Sequence, residues 1–424
     1  MQLRPVLALA LLAGMMHSTG AEGAPRGKRG DGDDPPPRAK KDAENAPESS
    51  TATSVGTEFA AYTDTDHVTV FTPSINAGFH NIGGWSIHGN YLVDVVSAAS
   101  ADIVSTASSR WQEVRQAGAI GATYKPQDFG VDAGGSVSSE PDYLSWAAYA
   151  QVMKDFDQKN ITTNFGYGFS YDTAGRCGAG AGQPCTPFSI FSRNLQRGAF
   201  NAGVGWVVDR DSLASLTGDL IIENGDQSKV YRYSPMFSPQ VAPAVPLGAS
   251  IDFVNANRLP ERPLEQLPLS RFRYAVTARY AHRFDDSTLR LEERIYDDSW
   301  GLFASSTDAR WIFDVGRRFE LWPHARFHTQ SSVSFWQRAY VSGSMSVSPF
   351  GWDLPKYRTG DRELGPLWSG EGGLGARWYL GSDAEPRTWQ LGLSGDAIYS
   401  SYLDDLYVTS RTAILGALML QAEW

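Results

Sequence analysis

The feature that most constrains this chain is a period-two alternation held over strips too long for a soluble sheet. In the stretch 271–283, Arg271, Arg273, Thr277, Arg279 and Arg283 fall on one face, while Phe272, Tyr274, Val276, Ala278 and Tyr280 fall on the other. That is the pattern of a strand separating a polar from an apolar environment. Comparable strips cover 85–95, 129–137, 161–171, 200–208, 311–315 and 389–399. Their count predicts about 14 strands, within 12–16, the first at 84–97 and the last at 408–424. Most exceed the ~5–6 residues of soluble strands and cover the ~9–11 that a tilted strand needs to cross a bilayer.

Connection lengths alternate as well. Short turns near 126–127, 157–159, 210–211, 285–286, 316–317 and 381–386 are interleaved with the long segments 173–197, 224–270 and 338–366. Short periplasmic turns opposite long outer loops, with both termini periplasmic, are the habit of outer-membrane barrels. In the last strip Leu418, Leu420 and Trp424 share one face, a candidate C-terminal assembly signal. The expected fold class is all-β, a transmembrane antiparallel up-and-down β-barrel of outer-membrane type.

The flanks are of different material. Residues 1–21 read as a signal peptide, with Arg4, an apolar run Val6–Met16 and small residues through Ala21. Residues 22–60 are charged and Pro-rich and are expected to form a disordered periplasmic linker. Residues 61–83 are assigned to an N-terminal extension and 84–424 to the barrel. A net charge of −10 argues against a nucleic-acid partner. Cys177 and Cys185, close together on a Gly-rich stretch of an exported chain, predict a disulfide.

Three stretches carry a resemblance: Val93–Ser108, Ser139–Tyr143 and Tyr296–Gly301. In that order they resemble a family of bacterial outer-membrane β-barrels known only as a domain of unknown function (DUF3570-like). The resemblance covers about residues 84–424. It implies an outer-membrane location and barrel topology, and brings no catalytic residues with it.

Site residues follow from the register. With Phe272 and Tyr274 facing lipid, Arg271, Arg273, Arg279 and Arg283 face the lumen. Arg290, Glu292, Arg294, Asp308, Arg310, Asp314, His324, Arg326 and His328 follow by the same alternation. This charged wall reads either as a solute-selecting surface or as an Arg–carboxylate ladder that fills the interior. Arg273 and Arg279 are expected to pair with Glu292. Glu293 falls on the lipid face, which raises a one-residue slip of register. His324 and His328, four apart on a strand, are separated by about 13 Å and make no metal pair, so no metal site is expected. Glu140, Asp142, Asp297 and Asp298 form acidic outer-loop clusters, read as solvated turns rather than Ca²⁺ ligands.

No nucleotide, flavin or haem motif occurs, so no cofactor is expected, and no Ser–His–carboxylate grouping points to an enzyme. The expected function is a passive pore or substrate-selective channel for an unidentified small solute. The alternative is a non-conducting outer-membrane anchor or partner of an envelope assembly or export system, with residues 22–60 docking to a periplasmic partner. A membrane-embedded hydrolase ranks third. Outer-membrane lipid and the barrel-assembly machinery are the expected partners in every case.

Overall fold

The computed structural model describes residues 51–81, 83–98, 111–178, 184–342, 353–381 and 388–424. The chain forms, in order, β1 (Ala52–Asp64), β2 (Thr69–His80), β3 (Trp85–Ala98), β4 (Trp111–Tyr124), β5 (Phe129–Glu140), β6 (Tyr143–Phe156) and β7 (Ile161–Ala174). Two-residue strands β8 (Arg176–Cys177) and β9 (Cys185–Thr186) precede β10 (Arg193–Val207) and β11 (Ser212–Gly225). A short β12 (Met236–Phe237) and helix α1 (Ile251–Asn257) lead to β13 (Ser270–Arg283), β14 (Ser287–Asp298), β15 (Phe303–Val315) and β16 (Phe319–Gln330). The chain then forms β17 (Tyr340–Val341), β18 (Leu367–Leu380), β19 (Trp389–Tyr402) and β20 (Ser410–Glu423).

Sixteen of these strands form one closed antiparallel barrel in chain order, with β8, β9, β12 and β17 outside it. β1 closes on β20, from Ser54 opposite Glu423 to Asp64 opposite Ala413. Reciprocal backbone bonds of 2.8 and 3.0 Å between Thr53 and Trp424 seal the seam. Closure pairs every strand on both sides, which is the condition for a sheet to stand in hydrocarbon.

All 14 expected strands are present, and two more precede them. Residues 52–60, assigned to the disordered linker, and 61–83, assigned to an extension, build β1 and β2, so the barrel begins at Ala52 rather than 84. Both strands conceal themselves in the sequence. The outward face of β1 is mostly small or hydroxylated (Val55, Thr57, Phe59, Ala61, Thr63). β2 carries Pro73, which cannot donate to a ladder and normally argues against a wall strand. Pro73 lies opposite Phe59 in the β1–β2 ladder, and the pairing with β3 steps over Thr72 and Pro73. The expected signal peptide 1–21 and the linker up to residue 50 lie outside the described residues.

The outside of the barrel is apolar. Phe59, Ile75, Ile120, Phe165, Val276 and Ile414 are large and exposed there. Aromatics gather at the two rims, with Trp85 tilted against Tyr124 at 4.6 Å on the periplasmic side and Trp368 near Tyr399 at 5.5 Å on the outer side. An even-stranded closed barrel with this belt is a bacterial outer-membrane protein. Leu418, Leu420 and Trp424 are exposed on the same lipid-facing surface.

Glu293 also stands on that surface. The register is not slipped; instead Ser305 and Thr307 of β15 donate to its carboxylate at 2.6 and 2.5 Å.

At the outer end, residues 226–269, 331–342 and 353–366 fold together into a cap. β12 pairs with β17. Phe237, Val245 and Val254 form an apolar cluster with Leu406 of the β19–β20 turn. Polar ties reach other turns: Tyr231 donates to Asp142 at 2.6 Å and Arg362 pairs with Asp66 at 2.6 Å. Inside the cap, Asp361 meets Arg232 at 2.6 Å and Lys229 at 3.0 Å. Burial opposes ionisation of Asp361, but these two cations outweigh it and hold the carboxyl well below the usual range. Because this folded value is depressed, the tie is intact above the ordinary carboxylate range and is lost only as pH falls well below it.

The Cys177–Cys185 disulfide joins the paired residues of the β8–β9 hairpin on the outer side. It closes a small loop, worth about 2–3 kcal/mol of constraint on the unfolded chain, and lies outside the barrel wall. Cys177→Ser should therefore speed proteolysis within 175–192 while leaving heat-modifiable gel migration unchanged; loss of the folded gel form would show that the bridge supports the wall.

The belt generates a graded expectation. Val276 lies near mid-strand on the lipid face of β13, so Val276→Arg should destabilise the barrel by about 2–4 kcal/mol. Tyr280→Arg, closer to the periplasmic rim, should cost clearly less. Denaturant unfolding in liposomes checks both, and equal costs would contradict the placement of the bilayer.

Candidate functional site

Lumen-facing residues alternate with the belt, and cross-strand pairing decides which of them meet. The densest network crosses six strands. Ser145 of β6 donates to Asp172 of β7 at 2.7 Å. Arg197 of β10 pairs with Asp172 and, at 2.9 Å, with Glu223 of β11. Arg273 of β13 approaches Glu223 at 3.6 Å and donates to the Tyr296 hydroxyl at 3.0 Å. Tyr296 donates to Asp298, which also pairs with Arg271. The Arg197, Asp172 and Glu223 side chains are only 4%, 4% and 1% exposed, so this belt is packed polar interior.

The second half of the wall is more open. Arg279 meets Glu292 at 2.5 Å with both side chains more than a third exposed (36% and 37%). Arg294 bridges to Asp219 at 3.1 Å, and Arg283 to Asp314 at 2.5 Å. Arg290 and Arg326 are exposed to the lumen, and Arg310, opposite Arg290 and His324 in register, is half-buried. All 13 expected wall residues thus lie on one face, but they are not one ring. Arg273 does not pair with Glu292; it turns toward the outer end, where Glu223 and Tyr296 lie within its reach.

A third grouping converges on His324. Its Nε2 lies 2.7 Å from Asp308 Oδ2, and its Nδ1 lies 3.2 Å from Asp396 Oδ1 and 3.7 Å from Glu371 Oε1. His328 turns elsewhere, to Ser306 Oγ at 2.7 Å. Four strands supply the His324 cluster, β15, β16, β18 and β19. Residues 324 and 396 are level with Gly373 on the strand between them. A side chain on Gly373 would overlap the Asp396 carboxylate, so the glycine leaves the space in which imidazole and carboxylate meet.

Asp172, Arg197, Glu223, Glu371 and Asp396 were not among the expected site residues. The alternation around Arg197 and Asp172 carried the signal in part, since each stands between outward-facing neighbours. Glu371 and Asp396 lie in glycine-rich strips, where a side-chain face is hard to read.

At the outer rim Glu140 and Asp142 come together with Glu113, and Asp142 accepts from Tyr231 of the cap. Asp298 is committed to Arg271, and also accepts from the backbone of Trp300 and Leu302 at 2.8 and 3.1 Å.

The two halves should respond differently to losing an arginine. Arg197→Met would leave the buried Asp172 without its cation and Glu223 with only the more distant Arg273, at about 3–5 kcal/mol. Arg279→Met removes a solvent-screened pair worth about 0–1 kcal/mol. Urea unfolding followed by Trp fluorescence separates these, and a similar loss in both would contradict the packed-and-open division of the lumen.

A family model described as a protein of unknown function (DUF3570) matches residues 104–387, more than half of the chain. Among curated proteins nothing matches. Solved structures that are similar include CdiB from Acinetobacter baumannii, with 8% identity, a TM-score of 0.46, and 88% of this chain and 60% of that one covered. OpdK of Pseudomonas aeruginosa with vanillate is similar at 8% identity and TM-score 0.40, covering 88% and 99%. The siderophore receptor PirA from Acinetobacter baumannii has 10% identity and TM-score 0.40, covering 83% of this chain. This chain spans about half of that receptor, 53% of its length.

Proposed function

This chain belongs to the DUF3570 family of proteins of unknown function, and from its lumen we propose that it is a passive outer-membrane channel for a small polar or charged solute. The observation that carries this is the open half of the wall: Arg279, Glu292, Arg290 and Arg326 present charge to the interior of a 16-strand barrel. Barrels of 16 strands are wide enough for an aqueous channel, and fixed charges along such a path select by sign and size. Arg271, Arg273, Arg283, Arg294, Arg310, Asp308, Asp314, His324 and His328 complete the charged wall in this proposal. Residues 1–21 would direct export, the barrel-assembly machinery would insert the wall, and Leu418, Leu420 and Trp424 would mark its last strand.

The cap favours a second reading. Its ties to Asp66, Asp142 and Leu406 reach the β1–β2, β5–β6 and β19–β20 turns, as would suit a barrel that anchors an envelope assembly and passes nothing. Residues 22–50 would then be the periplasmic docking segment.

Planar-bilayer recording of the refolded full chain decides between them. A channel should give discrete conductance steps. The variant with Arg290→Glu and Arg326→Glu should move the reversal potential in a salt gradient toward cation preference, with Arg279→Glu acting in the same direction. A folded, inserted barrel with no conductance, even after the cap ties are cut by Arg362→Ala and Tyr231→Phe, would overturn the channel and leave the anchor.

A further inference from the structure

We propose that the His324 cluster is a binding site for one divalent first-row transition-metal ion inside the lumen, with His324, Glu371 and Asp396 as ligands and Asp308 as the residue that positions the imidazole.

The donor set is the first ground. One donor atom each from His324, Glu371 and Asp396 lies within 4.8 Å of the other two. Imidazole with two carboxylates suits zinc, manganese or ferrous iron, whereas calcium takes oxygen ligands alone. Water from the lumen would complete the coordination. The orientation of the imidazole is the second ground. Asp308 lies 2.7 Å from Nε2, on the side away from the two ligand carboxylates. A carboxylate accepting from one ring nitrogen leaves the other as the metal-binding lone pair, the usual outer support of a metal-bound histidine.

Charge and shape agree with this. In register, Arg326 stands opposite Asp308 and Glu371 and Arg310 stands opposite His324, so three carboxylates (Asp308, Glu371 and Asp396) share the neighbourhood with two guanidiniums. The neighbourhood therefore carries excess negative charge, which a divalent cation compensates. The His324 side chain is only 10% exposed, so the carboxylates around it are held together in a partly dry setting rather than spread in solvent. Gly373 supplies the room, because any larger residue there would occupy the space between His324 and Asp396. The alternative for the same contacts is a protonated imidazole that ties three acids together, and the two differ in what they bind.

The test uses refolded full chain in detergent micelles, titrated with Zn²⁺ by calorimetry after chelator treatment. No current is measured, so its outcome is separate from that of the channel proposal. Wild-type protein should bind one equivalent. His324→Ala should weaken that step at least tenfold, Asp308→Asn by about 10–100-fold, and His80→Ala, a histidine elsewhere on the barrel, not at all. Co²⁺ substitution gives a second readout: a visible ligand-field spectrum that His324→Ala abolishes, with heat-modifiable migration confirming that each variant is folded. Absence of stoichiometric binding by folded wild type, or binding unchanged in His324→Ala, would overturn the site and leave the protonated hub.

Discussion

In hydrocarbon an unpaired backbone amide or carbonyl costs several kcal/mol, so a sheet that crosses a bilayer must have no edges. The meeting of β1 with β20 satisfies this demand. Much else in the molecule depends on it, because only a closed wall has an inside. Once the inside exists, period-two alternation divides every strand between two solvents. Phe272, Tyr274 and Val276 turn to lipid, while Arg271, Arg273 and Thr277 turn to the lumen.

The lumen is in turn divided. On the side of β6, β7, β10 and β11, Asp172, Arg197 and Glu223 are shut away from solvent and satisfied by one another. There the charges act as filler, and their value lies in mutual pairing, since one member left alone would be costly. On the side of β13 to β19, pairs such as Arg279–Glu292 remain partly wet. A solute or ion can exchange with charges of the second kind and has no access to those of the first. If the barrel conducts as proposed, the charges a solute meets are open pairs such as Arg279–Glu292 and Arg294–Asp219 rather than the packed ones.

How much of this was legible in the sequence depends on side-chain contrast. Strands with large outward residues, such as β13 with Phe272, Tyr274 and Tyr280, disclosed both their existence and their facing. β1 and β2 did not, because Ala, Thr and Ser fit either solvent and Pro73 argued against a wall strand that the neighbouring ladder accommodates. The charged face was readable, but pairing was not: Arg273 meets Glu223, which lies 50 residues earlier in the chain, through a register that only strand adjacency sets. The His324 cluster was hidden for the same reason. Spacing along one strand rightly separates His324 from His328, and says nothing of Glu371 and Asp396 on the two strands beyond.

The tie between Arg362 and Asp66 also has a bearing on how the molecule is assembled. Its partners are 296 positions apart in the chain, and Asp66 belongs to the turn that follows the first strand. A cap held at that turn cannot be completed until the ends of the wall have come together, because β1 reaches its place beside β20 only at closure. Contacts of such separation form late. This contact of the cap is therefore a record of a finished cylinder: a chain stalled as an open ribbon would carry the same segments with Arg362 still apart from Asp66.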